Sequence, residues 1–326
     1  MTLTELAKQV GTSVSTVSKA FSGSKEISEE VKKSIFKAAK RAGCFEKYYK
    51  GPRERPVIAL LFPETESEYY GTEIGILERE INRRGADTVV ALTRFDPERE
   101  ARLFSEMVYR LKVDGVIISS SGTLVKNPDS VPLVLFGSGA ERSKNADVVS
   151  VDMNGAVREL VGVIKEYGHR EVGFIGERLT RGKLEAFKQA MRYHGLPFRE
   201  KFVSEADGAR FAAAGEECMQ KLIDRKSVPE VIVAAYDQIA YGAMRRAEQN
   251  GYKIPDDISF VGVDDISVTE YLGVPLSSVH INLEEVCGKV VDMIFKRIDN
   301  RHYRESERVT IPVTVCIRES LLDKRK

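Results

Sequence analysis

The stretch TSVSTVSKAF (residues 12–21) decides how the first part of this chain folds. Seven of its ten residues are Ser, Thr or Val, which by intrinsic propensity favour strand or turn. The preceding residues 3–10, LTELAKQV, have a clear helical pattern, and the segment that follows is helical again. A strand at 12–21 would therefore lack a partner strand nearby, and an isolated strand is unstable. We predict that tertiary packing overrides local propensity here and makes this stretch a helix.

Start and stop signals divide the first 43 residues into three helices. Thr2 can begin a capping box, Gly11 can end the first helix in a left-handed conformation, and Ser13 can cap the second. Ser28 can cap the third helix, EEVKKSIFKAAKR, at 29–41. Three short helices with a tight turn between the first two describe a helix-turn-helix domain.

The charge distribution favours the same interpretation. Residues 1–55 hold twelve Lys and Arg against six Asp and Glu, whereas residues 56–326 hold 38 against 43. A basic head on a mildly acidic body indicates that only the head meets a polyanion. On charge alone, a solvated basic surface explains the pattern equally well.

The segment LTELAKQVGTSVSTVSKAFSG (3–23) resembles the N-terminal signature of LacI/GalR-family transcription regulators. This resemblance implies a DNA-binding domain at residues 1–43, with Val14, Ser15 and Lys19 facing the groove of a duplex. Val14 would contact a thymine methyl group, while Ser15 and Lys19 would reach base edges or phosphates. Capping, packing or phosphate contacts are expected from the neighbouring polar residues Thr12, Ser13, Thr16 and Ser18.

Residues 44–55 have the composition of a linker, with Gly, Pro and many charged residues. Members of the resembled family usually carry here a segment that forms a hinge helix and wedges a Leu into the minor groove. This sequence lacks that pattern. Three interpretations stay open: Tyr48 and Tyr49 act as wedges, Arg53 and Arg55 lie along phosphates, or the segment is a flexible basic tether.

From residue 56 onward, short apolar runs alternate with amphipathic helical patterns. Five helices are predicted from these patterns, at residues 72–85, 98–112, 154–168, 183–195 and 237–251. Seven runs are typical of buried parallel strands: PVIALLF, DTVVAL, DGVIIS, VPLVLF, EVGFIG, PEVIVAA and DISFVGV. Repeated βα units indicate doubly wound α/β sheets, and their number exceeds one sheet. We therefore predict two similar α/β lobes.

The resemblance extends through the body, in KVDGVIISSS, EYGHREVGFIG, IPDDISFVGVDD, PLSSVHI and CIRES. It implies an all-α helix-turn-helix head followed by a two-lobed, periplasmic-binding-protein-like core at 56–326, with three crossovers and a cleft. Lobe one is expected at about 56–152 and 283–305. Lobe two is expected at about 153–281 and 307–320.

Ligands of open α/β sheets bind beyond the carboxyl ends of the strands, which points to 62–65, 119–121, 176–183, 235–237 and 263–265. The resemblance narrows these segments to six effector-binding residues: Tyr70, Ser121, Lys183, Arg210, Tyr236 and Asp264. Asp264 would bind ligand hydroxyls or, alternatively, cap a helix. Lys183 and Arg210 together would suit an acidic or phosphorylated ligand. Because the chain has no Trp, Tyr70, Tyr236 or Phe62 would stack on a sugar ring.

The sequence thus predicts a ligand-responsive transcriptional repressor that binds near-palindromic, double-stranded operator DNA as a homodimer. Its effector would be a small molecule, a sugar or sugar derivative, and no cofactor or metal is expected. The four cysteines are far apart in the sequence, which is typical of packed core residues. Because the sequence has no signal peptide and no apolar run of membrane length, we expect a cytoplasmic protein that contacts no membrane. The alternatives are an exported solute-binding protein, or a cytosolic binding protein or enzyme on the same scaffold. The sequence does not favour an enzyme, because it contains no P-loop, no Gly-x-Gly-x-x-Gly after a strand, no His-Glu-x-x-His and no Gly-x-Ser-x-Gly motif.

Overall fold

The computed structural model describes most of the chain, and it divides into two compact units, Met1–Pro56 and Val57–Lys326. The described residues are 1–24, 26–49, 55–120, 124–127, 131–137, 140, 146–300 and 305–326. Within these ranges, no helix combines the length and apolarity needed to cross a membrane. The first unit is helical, and the second contains two sheets.

Helices α1 (Leu3–Val10), α2 (Val14–Phe21) and α3 (Glu29–Arg41) form the first unit together with a short helix α4 (Phe45–Tyr48). The predicted helix at 12–21 is confirmed. Thr2 makes the expected capping box, and Gly11 ends α1 with φ of 71°. Ser13 and Ser28 cap α2 and α3, as their positions predict.

The core of this unit explains why α2 is helical despite its propensity. Leu6 from α1, Val17 and Ala20 from α2, and Ile35 from α3 are each fully buried. Ala7 is 2% exposed and belongs to the same cluster. A larger residue at this position would separate α1 from the helices that pack on it. Burial of one apolar face stabilises a helix that is weak in isolation.

Helix α4 corrects the expected extent of the linker. Residues 44–49 belong to the first unit because their aromatic side chains pack on it. The Tyr48 ring lies 5.9 Å from that of Phe21, and its hydroxyl donates to the Met1 carbonyl over 2.9 Å. The Tyr49 ring stacks on Phe45 at 4.7 Å. Burial of aromatic surface outweighs the loop-like composition of this stretch.

Two six-stranded sheets form the second unit. The first sheet has the order β11-β5-β4-β3-β1-β2 and is parallel throughout. Its strands are β1 (Val57–Phe62), β2 (Asp87–Leu92), β3 (Gly115–Ser119), β4 (Leu133–Phe136), β5 (Asp147–Val151) and β11 (Arg308–Ile311).

The second sheet has the order β12-β10-β9-β8-β6-β7, with only the edge strand β12 antiparallel. Its strands are β6 (Val172–Glu177), β7 (Val203–Ala206), β8 (Val231–Ala234), β9 (Ser259–Asp264), β10 (Ser277–His280) and β12 (Thr314–Cys316). All seven apolar runs singled out in the sequence are strands of these two sheets, and the predicted pair of α/β lobes is confirmed.

In the part of the second unit that the structure describes, seven α-helices pack on the sheets. They are α5 (Glu68–Arg83), α6 (Pro97–Ser105), α7 (Met153–Glu166), α8 (Arg181–Tyr193), α9 (Phe211–Asp224), α10 (Asp237–Gln249) and α11 (Leu283–Asp299). Helix α6 continues into a π-helical turn, Glu106–Arg110. The five helices expected from amphipathic patterns are present, while α9 and α11 were not predicted.

Within the described ranges the chain crosses between the lobes three times: after β5, after β10 and between β11 and β12. The last crossover corrects one predicted boundary. Residues 307–320 were assigned to lobe two, but Arg308–Ile311 pairs with Asp147–Val151 in the sheet of lobe one. The pairing buries Ile311 in the core of lobe one. Val313 packs on the cores of both lobes, and the chain joins the sheet of lobe two at Thr314.

Candidate DNA interface and ligand cleft

One face of α2 is exposed, opposite the face that packs into the head. Val14 is 42% exposed, and Ser15, Ser18 and Lys19 are exposed beside it. Val17 and Ala20, on the other side, are buried. The residues predicted to face a duplex therefore share one accessible surface of the helix.

The other predicted polar residues make local contacts. Ser13 Oγ accepts the backbone N–H of Thr16 over 3.0 Å and lies 2.8 Å from the Thr16 hydroxyl. The Thr12 backbone N–H donates to the Ala7 carbonyl over 2.9 Å. These contacts fix the turn and the start of α2, which is the capping role expected for short polar side chains.

The Lys19 side chain is engaged but remains accessible. Its Nζ lies 2.5 Å from a Glu26 carboxylate oxygen, and the side chains are 46% and 68% exposed. The Lys19 ammonium group lowers the pKa of Glu26. Exposed ion pairs contribute little free energy, so a phosphate or base edge can replace Glu26 at small cost.

Of the four predicted linker contacts, two belong to the packing of the head. The Tyr48 ring contacts Phe21, and Tyr49, which is 45% exposed, packs on Phe45 and edge-on against Phe36. Arg55 is partly exposed. Arg53 lies outside the described residues.

A cleft of about 930 Å³ lies between the two lobes, within the size range of small-molecule sites. It is lined at the carboxyl ends of the strands, as the rule for parallel sheets predicts. Ser121 lies outside the described residues, although Ser119 and Ser120 line the cleft. The other five predicted effector-binding residues all line it: Tyr70, Lys183, Arg210, Tyr236 and Asp264.

Lys183 and Asp264 form a pair on the lobe-two side of the cleft. Lys183 Nζ donates to the Ala235 carbonyl over 2.8 Å and lies 3.4 Å from Asp264 Oδ1. Burial raises the pKa of Asp264, and the Lys183 charge opposes that shift. Asp264 ends β9 with φ of 103° and caps no helix, so the alternative role expected for it was wrong. Such backbone strain concentrates at ligand sites.

Arg210 is held by groups from both lobes. Its Nε lies 3.3 Å from Glu177 Oε1, and the guanidinium carbon lies 4.4 Å from the Phe211 ring centroid and 5.0 Å from that of Phe95. The Tyr236 hydroxyl donates to the same Glu177 oxygen over 2.9 Å. Phe95 follows a lobe-one strand and the other groups belong to lobe two, so Arg210 connects the lobes across the cleft.

The cleft is acidic, a property that was not predicted from the sequence. Among the described lining residues, two cationic side chains, Lys183 and Arg210, face nine carboxyl groups. The carboxyl groups are those of Glu64, Glu73, Asp96, Glu100, Asp152, Glu177, Glu185, Asp237 and Asp264. Because Lys183 and Arg210 are both paired with carboxylates, the cleft does not favour the acidic or phosphorylated ligand that these residues suggested.

Burial perturbs two of these carboxyl groups strongly. It raises the pKa of Glu73 well above its usual value; the Tyr69 hydroxyl opposes this shift and the charge of Asp264 adds to it. Burial and the Asp264 charge likewise raise the pKa of Asp237, against hydrogen bonds from Ser278 and the Ile266 backbone N–H. Perturbed carboxyl groups in a cleft are typical of functional sites.

The aromatic lining also differs from expectation. Phe62 is fully buried and packs on Tyr70 and Phe136, so it is not available to stack on a ligand. Phe95 and Phe211 line the cleft instead. Both adopt positive φ, 59° and 58°, a conformation that is uncommon for bulky residues and that composition does not indicate.

Comparison with known proteins decides the family. Residues 2–43 match the model of bacterial regulatory proteins of the lacI family, and residues 161–321 match a periplasmic binding protein-like domain. This chain belongs to the LacI family. The predicted fold class is thereby confirmed for both parts of this LacI-family chain.

Relatives match the LacI-family chain over almost its whole length. The "HTH-type transcriptional repressor PurR" of Pasteurella multocida (strain Pm70) is 24% identical over 92% of each chain. Two solved structures, each with a TM-score of 0.71, share the fold. One is the transcriptional regulator CelR in complex with cellobiose, 24% identical over 98% of this chain and 99% of that one. The other is the lac repressor dimer bound to operator and the anti-inducer ONPF, 18% identical over 99% of both chains.

Proposed function

We propose that this LacI-family chain is a transcriptional repressor that binds a near-palindromic operator as a homodimer. One observation carries the proposal: a family-matched helix-turn-helix head exposes Val14, Ser15 and Lys19 together on one face of α2. A single exposed helix face of this size fits the major groove, and a two-fold dimer places two such helices on successive turns of DNA. The names of the relatives favour a regulator over an enzyme or a transport protein.

In this proposal the head spans residues 1–49 and includes α4, the effector-binding core begins at residue 56, and the connecting segment lies between them. Val14, Ser15 and Lys19 read base edges. Thr12, Ser13, Thr16 and Ser18 fix the turn and contact phosphates. Arg53 and Arg55 contact phosphates next to the head, whereas Tyr48 and Tyr49 hold α4 on the head.

The effector occupies the cleft between the lobes and is a carbohydrate or a carbohydrate derivative. Tyr70, Lys183, Arg210, Tyr236 and Asp264 bind it, and Ser121 completes the set. Support comes from the volume of the cleft and its hydroxyl, carboxylate and aromatic lining. An effector that prefers one arrangement of the lobes changes operator affinity by linkage. The protein acts in the cytoplasm, where its operator is.

Selection of binding sites from a random duplex library, with the full chain as bait, tests this function. We expect enrichment of an inverted repeat whose half-sites lie one helical turn apart. A library that yields no enriched sequence at low salt would contradict the proposal. So would enrichment of single, unrepeated sites, because this excludes the symmetric dimer.

A further inference from the structure

The charges of the cleft restrict the chemistry of its ligand. Lys183 already contacts Asp264 and the Ala235 carbonyl, and Arg210 contacts Glu177 between two aromatic rings. Among the described lining residues, an anionic ligand therefore meets no cation that is not already paired with a carboxylate. The surplus of carboxyl groups favours a ligand that is neutral or positively charged.

Two of the carboxyl groups have an oxygen with no hydrogen-bond partner among the residues that the structure describes. Glu64 Oε1 and Glu73 Oε2 are buried and unpaired, and the residues are 2% and 1% exposed. The other oxygen of Glu64 accepts the backbone N–H of Ser67 over 2.9 Å and that of Glu66, which aims the unpaired oxygen away from the turn. Arg210 Nη2 lies 4.0 Å from this unpaired oxygen, beyond hydrogen-bond distance. Native proteins rarely leave buried carboxylate oxygens without donors, and functional sites are the usual exception.

Both carboxyl groups line the cleft and lie near Tyr70. Glu64 follows β1, and Glu73 lies on α5 one turn after Tyr70, whose ring lines the cleft. The charges of Glu73, Asp264 and Glu64 all act on the Tyr70 hydroxyl. A ligand stacked on Tyr70 would therefore lie in the field of three carboxyl groups.

A metal ion is a poor match for this place. Over the part of the chain that the structure describes, no three His, Cys, Asp or Glu side chains are arranged to hold a metal. The unpaired oxygens of Glu64 and Glu73 instead match the donors of an ammonium group, which forms short, charge-assisted hydrogen bonds. Its positive charge would lower the raised pKa of the Glu73 carboxyl group and so favour the ionised form that accepts these bonds.

On the basis of the function proposed above, we propose that the effector carries a protonated amino group on a polyhydroxylated ring, as an amino sugar does. Glu64 and Glu73 bind the ammonium group through their unpaired oxygens. Asp264 and Ser119 bind ring hydroxyls, and Tyr70 stacks on the ring. A cationic ligand also neutralises part of the surplus negative charge, which a neutral sugar leaves in place.

Thermal-shift and calorimetric titration of the full chain at pH 7 test the proposal with matched pairs. The probes are glucosamine, galactosamine and mannosamine, each against its neutral parent sugar, with gluconate and glucose 6-phosphate as anionic probes. We expect at least one amino sugar to raise the Tm and to bind about tenfold or more tightly than its parent. Equal or tighter binding of a parent sugar or an anionic probe would overturn the proposal, as would the absence of binding by all three amino sugars.

Two carboxamide variants make the assignment specific. Glu64→Gln and Glu73→Gln should each weaken amino-sugar binding about tenfold and change the affinity for the neutral parent by less than about twofold. Glu78→Gln, on the exposed side of the same helix α5, is the matched control and should bind as the wild type does. Equal losses for amino and neutral sugars in the Gln variants would mean that the carboxyl groups support the fold of the cleft and do not recognise an amine.

DNA binding by the same preparation separates the two proposals. A protein that selects an inverted repeat but binds neutral or acidic sugars better overturns the amino-sugar inference and leaves the repressor function intact. A protein that selects no DNA overturns the repressor function, whatever the sugar titrations show.

Discussion

Lys19 shows how an exposed residue can be held ready for DNA. Glu26 orients its side chain in the free protein, but the pair is exposed and weak. We therefore expect Lys19→Ala to change the preferred base at one operator position, at a cost of about 1–3 kcal/mol there. Selection on random duplexes measures this preference.

The control for Lys19 is Lys33→Ala, which removes an exposed charge from α3 without touching α2. This variant should weaken binding to all sequences alike, as loss of a phosphate contact does. An unchanged base preference for Lys19→Ala would remove that residue from the set that reads the sequence.

Arg210 contributes through its planar shape as well as its charge. It lies between Phe95 and Phe211 and contacts Glu177, and Lys cannot reproduce the flat contact with both rings. We expect Arg210→Lys to lower the free energy of unfolding of the unliganded protein by about 1–2 kcal/mol. Thermal unfolding measures the change, with Arg192→Lys on the exposed side of α8 as the control. Equal Tm values for the two variants would refute this role.

Glu230 links stability to pH. Burial alone would raise the pKa of Glu230, but hydrogen bonds from the Arg170 N–H, Lys324 and the Glu171 N–H lower it to about 2. A carboxyl group with a lowered pKa stabilises the fold above the pKa of the unfolded chain, near 4.5, and this stabilisation is lost as pH falls toward 2.

Glu230→Gln should therefore lower the free energy of unfolding at pH 7 by about 1 kcal/mol, a modest value because about a third of the side chain is exposed. The difference from wild type should shrink as the pH falls below about 4.5. Denaturant titrations at several pH values, with the exposed Glu248→Gln as control, measure it. A difference that stays constant down to pH 3 would exclude the linkage.

Among the elements, α4 offers the clearest test of how the head meets the linker. The rings of Phe45, Tyr48 and Tyr49 pack against Phe21 and Phe36. Truncation of Tyr48 to Ala should destabilise the head by about 2–3 kcal/mol, because it removes a ring from an aromatic cluster. Tyr48→Phe should cost about 1 kcal/mol, since it removes only the hydrogen bond to Met1.

Thermal unfolding and operator affinity, measured on both Tyr48 variants, check this prediction. The operator affinity of each variant should fall in proportion to the fraction of protein whose head is unfolded. At low temperature, where the head is folded, the affinity should equal that of the wild type. A Tyr48→Ala protein that is fully folded yet binds DNA poorly would instead support the minor-groove wedge.

The elements also show what could be predicted from the sequence. The helix at 12–21 and the seven central strands follow from patterns that are complete within each segment. Helix α9 is different, because it begins without a side-chain cap and with a run of small residues. Gly215 is needed there since a Cβ would meet the Ile239 carbonyl of α10 at 2.0 Å, a contact that exists only in the folded lobe. Helix α11 has an amphipathic pattern and an Asn282 cap, so it could have been predicted from the sequence.

The residues of the cleft likewise fall into those that the sequence indicates and those that it does not. Residues after the strands were found because topology alone brings strand ends together. Glu73 lies inside α5, where that rule does not apply, although a carboxylate on the face of Ile76 and Leu77 was a signal that the sequence contained. The packing of Arg210 between two rings depends on positive φ at Phe95 and Phe211, which no local pattern of these residues indicates.

At the scale of the whole molecule, the separation of charge predicts how binding depends on salt. The first 55 residues carry a surplus of positive charge and the remainder a surplus of negative charge. Operator affinity should fall by about 0.9 log units per log unit of salt for each phosphate neutralised. Anisotropy titrations at several salt concentrations give the slope, and effector binding to the isolated protein should show a much weaker dependence. A salt-independent operator affinity would contradict electrostatic contact by the head.

The three crossovers also determine when the molecule can fold during synthesis. Lobe one receives its edge strand from Arg308–Ile311, and lobe two receives its own from Thr314–Cys316. Ser320 then ties β9 to β10 through the Phe260 carbonyl and the Ser277 N–H. On the ribosome, neither lobe can be complete until these residues leave the exit tunnel, so both must mature almost together. A nascent chain stalled before residue 308 should therefore remain sensitive to protease in both halves of the core.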